Sequence, residues 1–320
     1  MDSLVRTERL TKRYTGLTAL DTVSLDVERG AIFGFVGPNG AGKTTAIRIL
    51  CTLLEPTSGE AWVDGCSVRD EPVEVRKRIG YMPDFFGVYE DMKVWEYIDF
   101  FARCYEVPQE RRAKLADELL GLVDLGHKKE AYVESLSRGM KQRLCLARTL
   151  VHDPELLILD EPASGLDPRA RIEMRELLKE LRAMGKTIVL SSHILAELAD
   201  VCTHIGIIER GRLLATGRVD SMIQRLSVRR RILMRVNGRG RTAWNLLAGF
   251  PGVTDVGFES AEPVTDDVPA ALRFGLTEQA PDQSELLHRL VTSGVPVRSF
   301  AEESGDLEDV FMQITKGEVQ

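Results

Sequence analysis

Nine consecutive residues, Gly37-Pro38-Asn39-Gly40-Ala41-Gly42-Lys43-Thr44-Thr45, constrain this chain more than any other stretch. From Gly37 through Gly42 to Thr44 they fit G-x-x-x-x-G-K-[ST], a pattern whose backbone wraps an anion. The setting agrees. Ala31-Ile32-Phe33-Gly34-Phe35-Val36 before the loop is the short apolar run of a strand covered on both faces. After it, Ala46, Ile47, Ile49, Leu50, Leu53 and Leu54 recur at helical spacing. Strand, glycine-rich turn and helix N-terminus aim several backbone N–H groups at one phosphate. Lys43 then reaches the terminal phosphates of a nucleoside triphosphate, and the Thr44 hydroxyl ligates Mg²⁺. The stretch predicts an α/β core that binds a nucleotide, without saying which kind.

The rest of the chain narrows the class. At 320 residues it has room for two domains. No apolar run approaches the roughly 18–20 residues that span a bilayer, and Met1 to Arg6 lacks the apolar core of a signal peptide. The expectation is a cytoplasmic protein that works at a membrane only through a partner. A formal net charge of −7 argues against nucleic acid as that partner. The basic cluster Arg229-Arg230-Arg231, preceded by Arg225, reads as a solvated corner at a domain junction. Five scattered cysteines without a C-x-x-C pair fit reduced thiols, not a disulfide framework or a zinc site.

In chain order, residues 4–27 read as two strands with Tyr14 on the loop between them. By position Tyr14 is core, although an aromatic there can also stack on a purine. Past the loop helix come a strand at Ala61 to Val63, a short helix at Val73 to Arg78, and a strand ending near Asp84. From Lys93 to Leu150 the pattern is all helical. Val94, Tyr97, Ile98, Phe101 and Ala102 form one face, and Leu115, Leu119, Leu122 and Val123 another. Ser135 or Ser137 caps a third helix. Buried strands then return at Leu156 to Leu159, ending on Asp160-Glu161, and at Thr187 to Leu190, ending on Ser191-Ser192-His193. Between them Pro168 to Met184 is an amphipathic helix stopped by Gly185. Beyond Gln224 the order β-α-β-β-α-β predicts a smaller ferredoxin-like domain, followed by a helix at Leu307 to Ile314.

Asp160-Glu161 lies where an α/β sheet presents groups to a ligand. One carboxylate there holds Mg²⁺ opposite Thr44, and the next orients and deprotonates a water in line with the γ-phosphate. His193 ends the neighbouring strand and reaches the same edge.

With these pieces in order, the chain resembles the nucleotide-binding subunit of ATP-binding-cassette (ABC) transporters over its first two-thirds. The resemblance rests on six motifs in the family's order. It assigns ATP contacts to Gly37, Asn39, Gly40, Ala41, Gly42, Lys43, Thr44 and Thr45, and adenine stacking to Tyr14. The signature loop is Leu136-Ser137-Arg138-Gly139-Met140, in which Ser137 and Gly139 clamp a second chain's ATP. Asp160 holds Mg²⁺ with Thr44, Glu161 is the catalytic base, Ser164 to Asp167 form the D-loop, and His193 is the switch histidine. Three positions depart from the usual pattern. Asp84 stands where a glutamine senses the γ-phosphate; it either binds Mg²⁺ directly or is a solvated loop carboxylate. Arg138 stands in place of glycine and Met140 in place of glutamine, while Ser137 and Gly139 keep the site competent.

The resemblance implies a P-loop NTPase of the ABC type at residues 1–224, with a mixed sheet, an antiparallel β subdomain and a helical signature subdomain at about 93–150. A ferredoxin-like accessory domain follows at 225–320, expected to brace or dimerise. Two cassettes, identical or different, would sandwich two ATP molecules head to tail. A separate multi-span permease would dock on the segment Phe85 to Met92, at the cytoplasmic face of the membrane. The Ser-Gly-Leu-Asp-Pro run at 164–168 and Leu307 to Phe311 look like bacterial drug- or lipid-export subunits. The alternative is a soluble ABC-type ATPase acting on ribosomes, DNA or another protein. Its relatives usually carry paired cassettes, coiled-coil inserts or zinc cysteines, and none is present here. A P-loop kinase leaves Ser137, Asp167 and His193 without a joint role.

Overall fold

In the computed structural model, which describes residues 3–85, 87, 89, 91–226, 230–259, 266–277 and 279–303, the chain divides into two compact units, residues 3–219 and 220–303. In the first, β1 (Ser3–Tyr14) and β2 (Leu17–Glu28) pair antiparallel around Gly16, whose φ of 81° suits a residue without Cβ. β3 (Ile32–Val36) is buried at every position, as its unbroken apolar run requires. The phosphate loop leads into α1 (Lys43–Leu50). β4 (Ser58–Val63) returns against β1, and β5 (Cys66–Ser67) completes an antiparallel sheet of order β2-β1-β4-β5. α2 (Pro72–Arg78) then feeds β6 (Ile79–Met82). Ala46, Ile47, Ile49 and Leu50 of α1 pack in one core with Val23, Leu25, Val27 and Val63 of the antiparallel sheet and Phe33 and Phe35 of β3. Each of the larger side chains among them contributes about 1.5–3 kcal/mol on burial, so the helix behind the loop is firmly seated.

The helical insert interrupts the chain between β6 and its neighbour in the main sheet. It comprises α3 (Val94–Cys104), α4 (Gln109–Leu122) and α5 (Arg138–Thr149). On α3 the expected face is buried at Val94, Tyr97, Ile98 and Ala102. On α4 the buried stripe is Ala116, Leu119, Leu120 and then Val123, rotated from the expected one; Leu115 and Leu122 are only half buried. Ser137 is the N-cap of α5, accepting from the Met140 N–H at 3.3 Å, whereas Ser135 donates to the Tyr132 carbonyl at 2.7 Å.

β7 (Leu156–Leu159), α6 (Pro168–Ala183), β8 (Thr187–Ser192), α7 (Leu195–Ala199), β9 (His204–Glu209) and β10 (Arg212–Arg218) complete the first unit. The six-stranded sheet runs β10-β9-β3-β8-β7-β6, parallel except for the β9–β10 hairpin. Its register decides the site. Met82 pairs with Leu159, Leu159 with Leu190, and Val36 with Ser192. The residues that follow these strands therefore emerge together at one edge.

α8 (Val219–Leu226) begins on the last residue of the first unit, and the second unit continues with β11 (Arg230–Asn237), α9 (Gly240–Ala248), β12 (Val253–Phe258), β13 (Pro269–Leu276), α10 (Gln283–Thr292) and β14 (Val297–Glu303). The antiparallel order β12-β13-β11-β14 is the ferredoxin-like arrangement expected from the element order. Alternation on β11 buries Ile232, Met234 and Val236 against Ala243 and Leu247 of α9 and Leu286 and Leu290 of α10. The expected helix at 307–314, Arg229 of the basic cluster, and Phe86, Val88 and Glu90 of the expected docking segment lie outside the described residues.

Candidate functional site

At the edge where the parallel strands end, a cleft of about 390 Å³ is lined by Tyr14, Asn39 to Thr45, Asp84, Glu161, Ser164 and His193, with Leu17 and Ala19 beside Tyr14. Gly42, the residue before α1, has a φ of 108°, and a Cβ on it would overlap the Ala19 carbonyl. Glycine is thus demanded both by conformation and by space. Lys43 is buried; its Nζ donates to the carbonyl oxygens of Gly37 at 2.7 Å and Pro38 at 3.2 Å, and stands 3.6 Å from Glu161 Oε1. Burial holds its pKa below the ordinary lysine value, with the charges of Glu161 and Asp160 working against that.

Beneath the lining, Asp160 is 1 % exposed. Its Oδ1 accepts from Ser191 Oγ at 2.6 Å and from Thr44 Oγ1 at 3.3 Å. Ser191 Oγ also accepts from the Glu161 N–H at 2.9 Å, so one hydroxyl fixes both acidic residues. Glu161 adopts a φ of 51°, uncommon for a residue with a side chain and held here by these neighbours. Its Oε2 lies 2.9 Å from His193 Nδ1. Lys43 and His193 thus grip the two oxygens of one carboxylate at the cleft wall.

Asp84 is an exposed rim residue. Partial burial, then repulsion from Asp160 and Glu161, raises its pKa, against the opposing pull of Arg138 and His193. Thr44, Asp160 and Asp84 are hard oxygen donors. Among the described residues, no three His, Cys, Asp or Glu side chains gather into a metal-holding group. Mg²⁺ usually takes one or two carboxylates together with substrate phosphates, so this donor set fits that ion alongside a nucleotide.

Tyr14 is not core. It is the last residue of β1, 47 % exposed at the cleft, with Lys12 Nζ 5.3 Å from its ring centroid. Ser137, Gly139 and Asp167 do not line the cleft of their own chain. Ser137 sits at the N-terminus of α5, and Asp167 caps α6 by accepting from the Ala170 N–H at 2.9 Å. Sequence reasoning missed Ser191, Leu17 and Ala19. Only the β7–β8 register brings Ser191 beside Asp160, and only the β1–β2 hairpin brings Leu17 beside Tyr14.

Residues 20–164 match the profile of the ABC transporter family. The Nod factor export ATP-binding protein I of Ralstonia nicotianae is 31 % identical over 99 % of this chain and 95 % of its own. The bacitracin transport ATP-binding protein BcrA of Bacillus licheniformis is 41 % identical over 67 % of this chain and 69 % of its own. Among solved structures, an ATP-binding subunit of an ABC transporter superposes with a TM-score of 0.63 at 31 % identity, over 70 % of this chain and 94 % of that one. A dimeric ATP-binding cassette in a post-hydrolysis state with ADP and Pi gives a TM-score of 0.61 at 27 % identity, over 67 % and 98 %. These matches, on a chain whose cleft is built on a phosphate loop and walled by an acidic pair, make it a member of the ABC transporter family: an ATP-binding subunit that hydrolyses ATP.

Proposed function

We propose that this chain energises a separate multi-span permease from the cytoplasmic face of the membrane, as the ATPase of an exporter, and that two cassettes close on ATP to do so. The grip of Lys43 and His193 on the Glu161 carboxylate, 3.6 and 2.9 Å away, carries the catalytic part of this reading. Glu161 takes the proton of the attacking water. His193 orients that carboxylate, and Lys43 exchanges its loop carbonyls for the terminal phosphates. Thr44, Asp160 and Asp84 hold Mg²⁺, which when bound supplies positive charge to the phosphate oxygens. Tyr14 stacks on adenine. Asn39 to Thr45 and Gly37 cradle the phosphates.

Ser137, Gly139 and Asp167 have no share in the cleft of their own chain, and in this reading they act on the partner cassette's ATP. Ser137 and the N-terminus of α5 offer an anion the setting it needs. The family's dimeric relative supports the pairing, and the relative named for Nod factor export supports the direction. Among the described residues no helix is long and apolar enough to cross a membrane; in this reading the route across belongs to a partner. Phe85, 88 % exposed, is offered as part of its docking surface. The domain at 225–320 braces the cassette or supports dimerisation, the ATP-binding domain being residues 1–224.

Glu161→Gln tests the reading. It should abolish hydrolysis and accumulate an ATP-bound dimer on a sizing column. Turnover at the wild-type rate would remove Glu161 from the mechanism. Tagged chain isolated from membranes should carry a multi-span protein; enrichment on ribosomes instead would overturn the transport assignment.

A further inference from the structure

The turn from Glu161 to Leu166 joins the acidic pair to the cap of α6, and α5 grips it from one side. Within the turn, the Ser164 N–H donates to the Glu161 carbonyl at 3.0 Å and the Leu166 N–H to the Ala163 carbonyl at 3.3 Å. Arg138 Nη2 donates to the Ser164 carbonyl at 3.1 Å. Four residues on, hence on the same helix face, buried Gln142 donates through Nε2 to the Pro162 carbonyl. Gly139 lies close to the next helix; a Cβ on it would stand 3.2 Å from Ala170 Cβ and 3.6 Å from a Leu166 methyl. The Arg138 guanidinium lies over Gly165, whose φ is 68° and where any Cβ would overlap it. Ser164, the residue held in this way, lines the nucleotide cleft.

We propose that Arg138 is a positioning residue for hydrolysis: by holding the Ser164 carbonyl over bare Gly165 it fixes the turn and, through it, the Glu161 carboxylate. This rests on the reading of Glu161 as the base. The physical reason lies in Glu161 itself. Its left-handed backbone persists only where neighbours over-determine it. Ser191 fixes its N–H, Lys43 and His193 its carboxylate, and Ser164 its carbonyl. Arg138 supports the last of these with a charged donor, whose bond to a carbonyl is stronger than a neutral one. A glycine at 138 offers no such donor, so α5 would keep its helix while the turn lost one of its two ties. Arg138 does not line the cleft of its own chain, so its effect on that cleft falls on chemistry and not on nucleotide binding; a contact with the partner cassette's ATP, beside Ser137 and Gly139, would show instead as a raised KM.

The experiment compares full-length wild type, R138A, R138K and E161Q by steady-state ATPase assay and by equilibrium binding of a fluorescent ATP analogue. For R138A, kcat should fall on the order of tenfold, the loss of one charge-assisted bond expressed in the transition state. KM and analogue affinity should stay within about twofold. R138K, which keeps a cationic donor, should recover part of kcat. Wild-type kcat in R138A beside a dead E161Q overturns the positioning role while leaving the base assignment intact. A raised KM at unchanged kcat overturns it in favour of nucleotide contact. Full turnover in E161Q overturns the base and the positioning role together. G165A gives an independent check: it should cost less in the R138A background than in wild type, because the guanidinium it strikes is gone. An equal or larger cost there overturns the contact.

Discussion

Replacing Ser191 by alanine removes one hydroxyl and loosens two acidic residues at once. Ser191 is fully buried. Its bond to Asp160 Oδ1, at 2.6 Å, has a carboxylate acceptor and is worth about 1.5–3 kcal/mol. Its acceptance from the Glu161 N–H, at 2.9 Å, is a neutral bond, worth about 0.5–1.5 kcal/mol. The substitution should therefore destabilise the first unit by about 2–4 kcal/mol. At about 2–4 °C per kcal/mol for a domain of this size, thermal denaturation followed by circular dichroism should show a loss of about 4–16 °C. Ser192→Ala is the matched control. Its Oγ accepts from the Ile194 N–H at 3.0 Å and donates to the Ile194 carbonyl at 3.3 Å. It should cost about 1 kcal/mol. ATPase activity separates the two variants further, since the Ser191 hydroxyl is the one that accepts the Glu161 N–H. A Ser191→Ala chain that melts within about 2 °C of wild type, with unchanged turnover, would refute the idea that this hydroxyl holds the site together.

Three further outcomes follow from the geometry. Because the folded chain raises the Asp84 pKa, the fold binds this proton more tightly than the unfolded chain does. The associated stability is present below the ordinary carboxylate value and is lost as pH rises through the raised one. Melting of the metal-free wild type should therefore fall relative to Asp84→Asn as pH rises above about 4; parallel curves would deny the shift. Tyr14→Ala should weaken ATP binding roughly tenfold, within the range for a base–aromatic stack. It should leave melting nearly unchanged, since the ring is about half exposed; equal affinity by calorimetry would return Tyr14 to a structural role. Phe85→Ser should alter stability by no more than about 0.5 kcal/mol while reducing recovery of the permease in pull-downs; undiminished recovery would move the docking surface elsewhere.

Much of this molecule is written locally. The phosphate loop carries its own chemistry, because a glycine-rich turn between an apolar strand and a helix has few other uses. The β-α-β-β-α-β order of the second unit could be read from alternation, as on β11, where Ile232, Met234 and Val236 face one core. The cap of α5 could be narrowed to Ser135 or Ser137, because a cap acts within three residues of itself, and the fold selects Ser137.

What the sequence left undetermined depends on groups far apart in the chain. The stripe on α4 begins at Ala116 because the neighbouring helices, not the periodicity of Leu115 to Leu122, decide which face is covered. Ser191 looks like any polar residue closing a strand until parallel pairing sets it beside Asp160, 31 positions away. The reach of Arg138 over Gly165 spans 26 residues to the Ser164 carbonyl and has no local signature. Motifs specify which groups the chain brings to phosphate chemistry; strand register and helix packing decide which of them touch, because register is a property of two strands and no single stretch contains it.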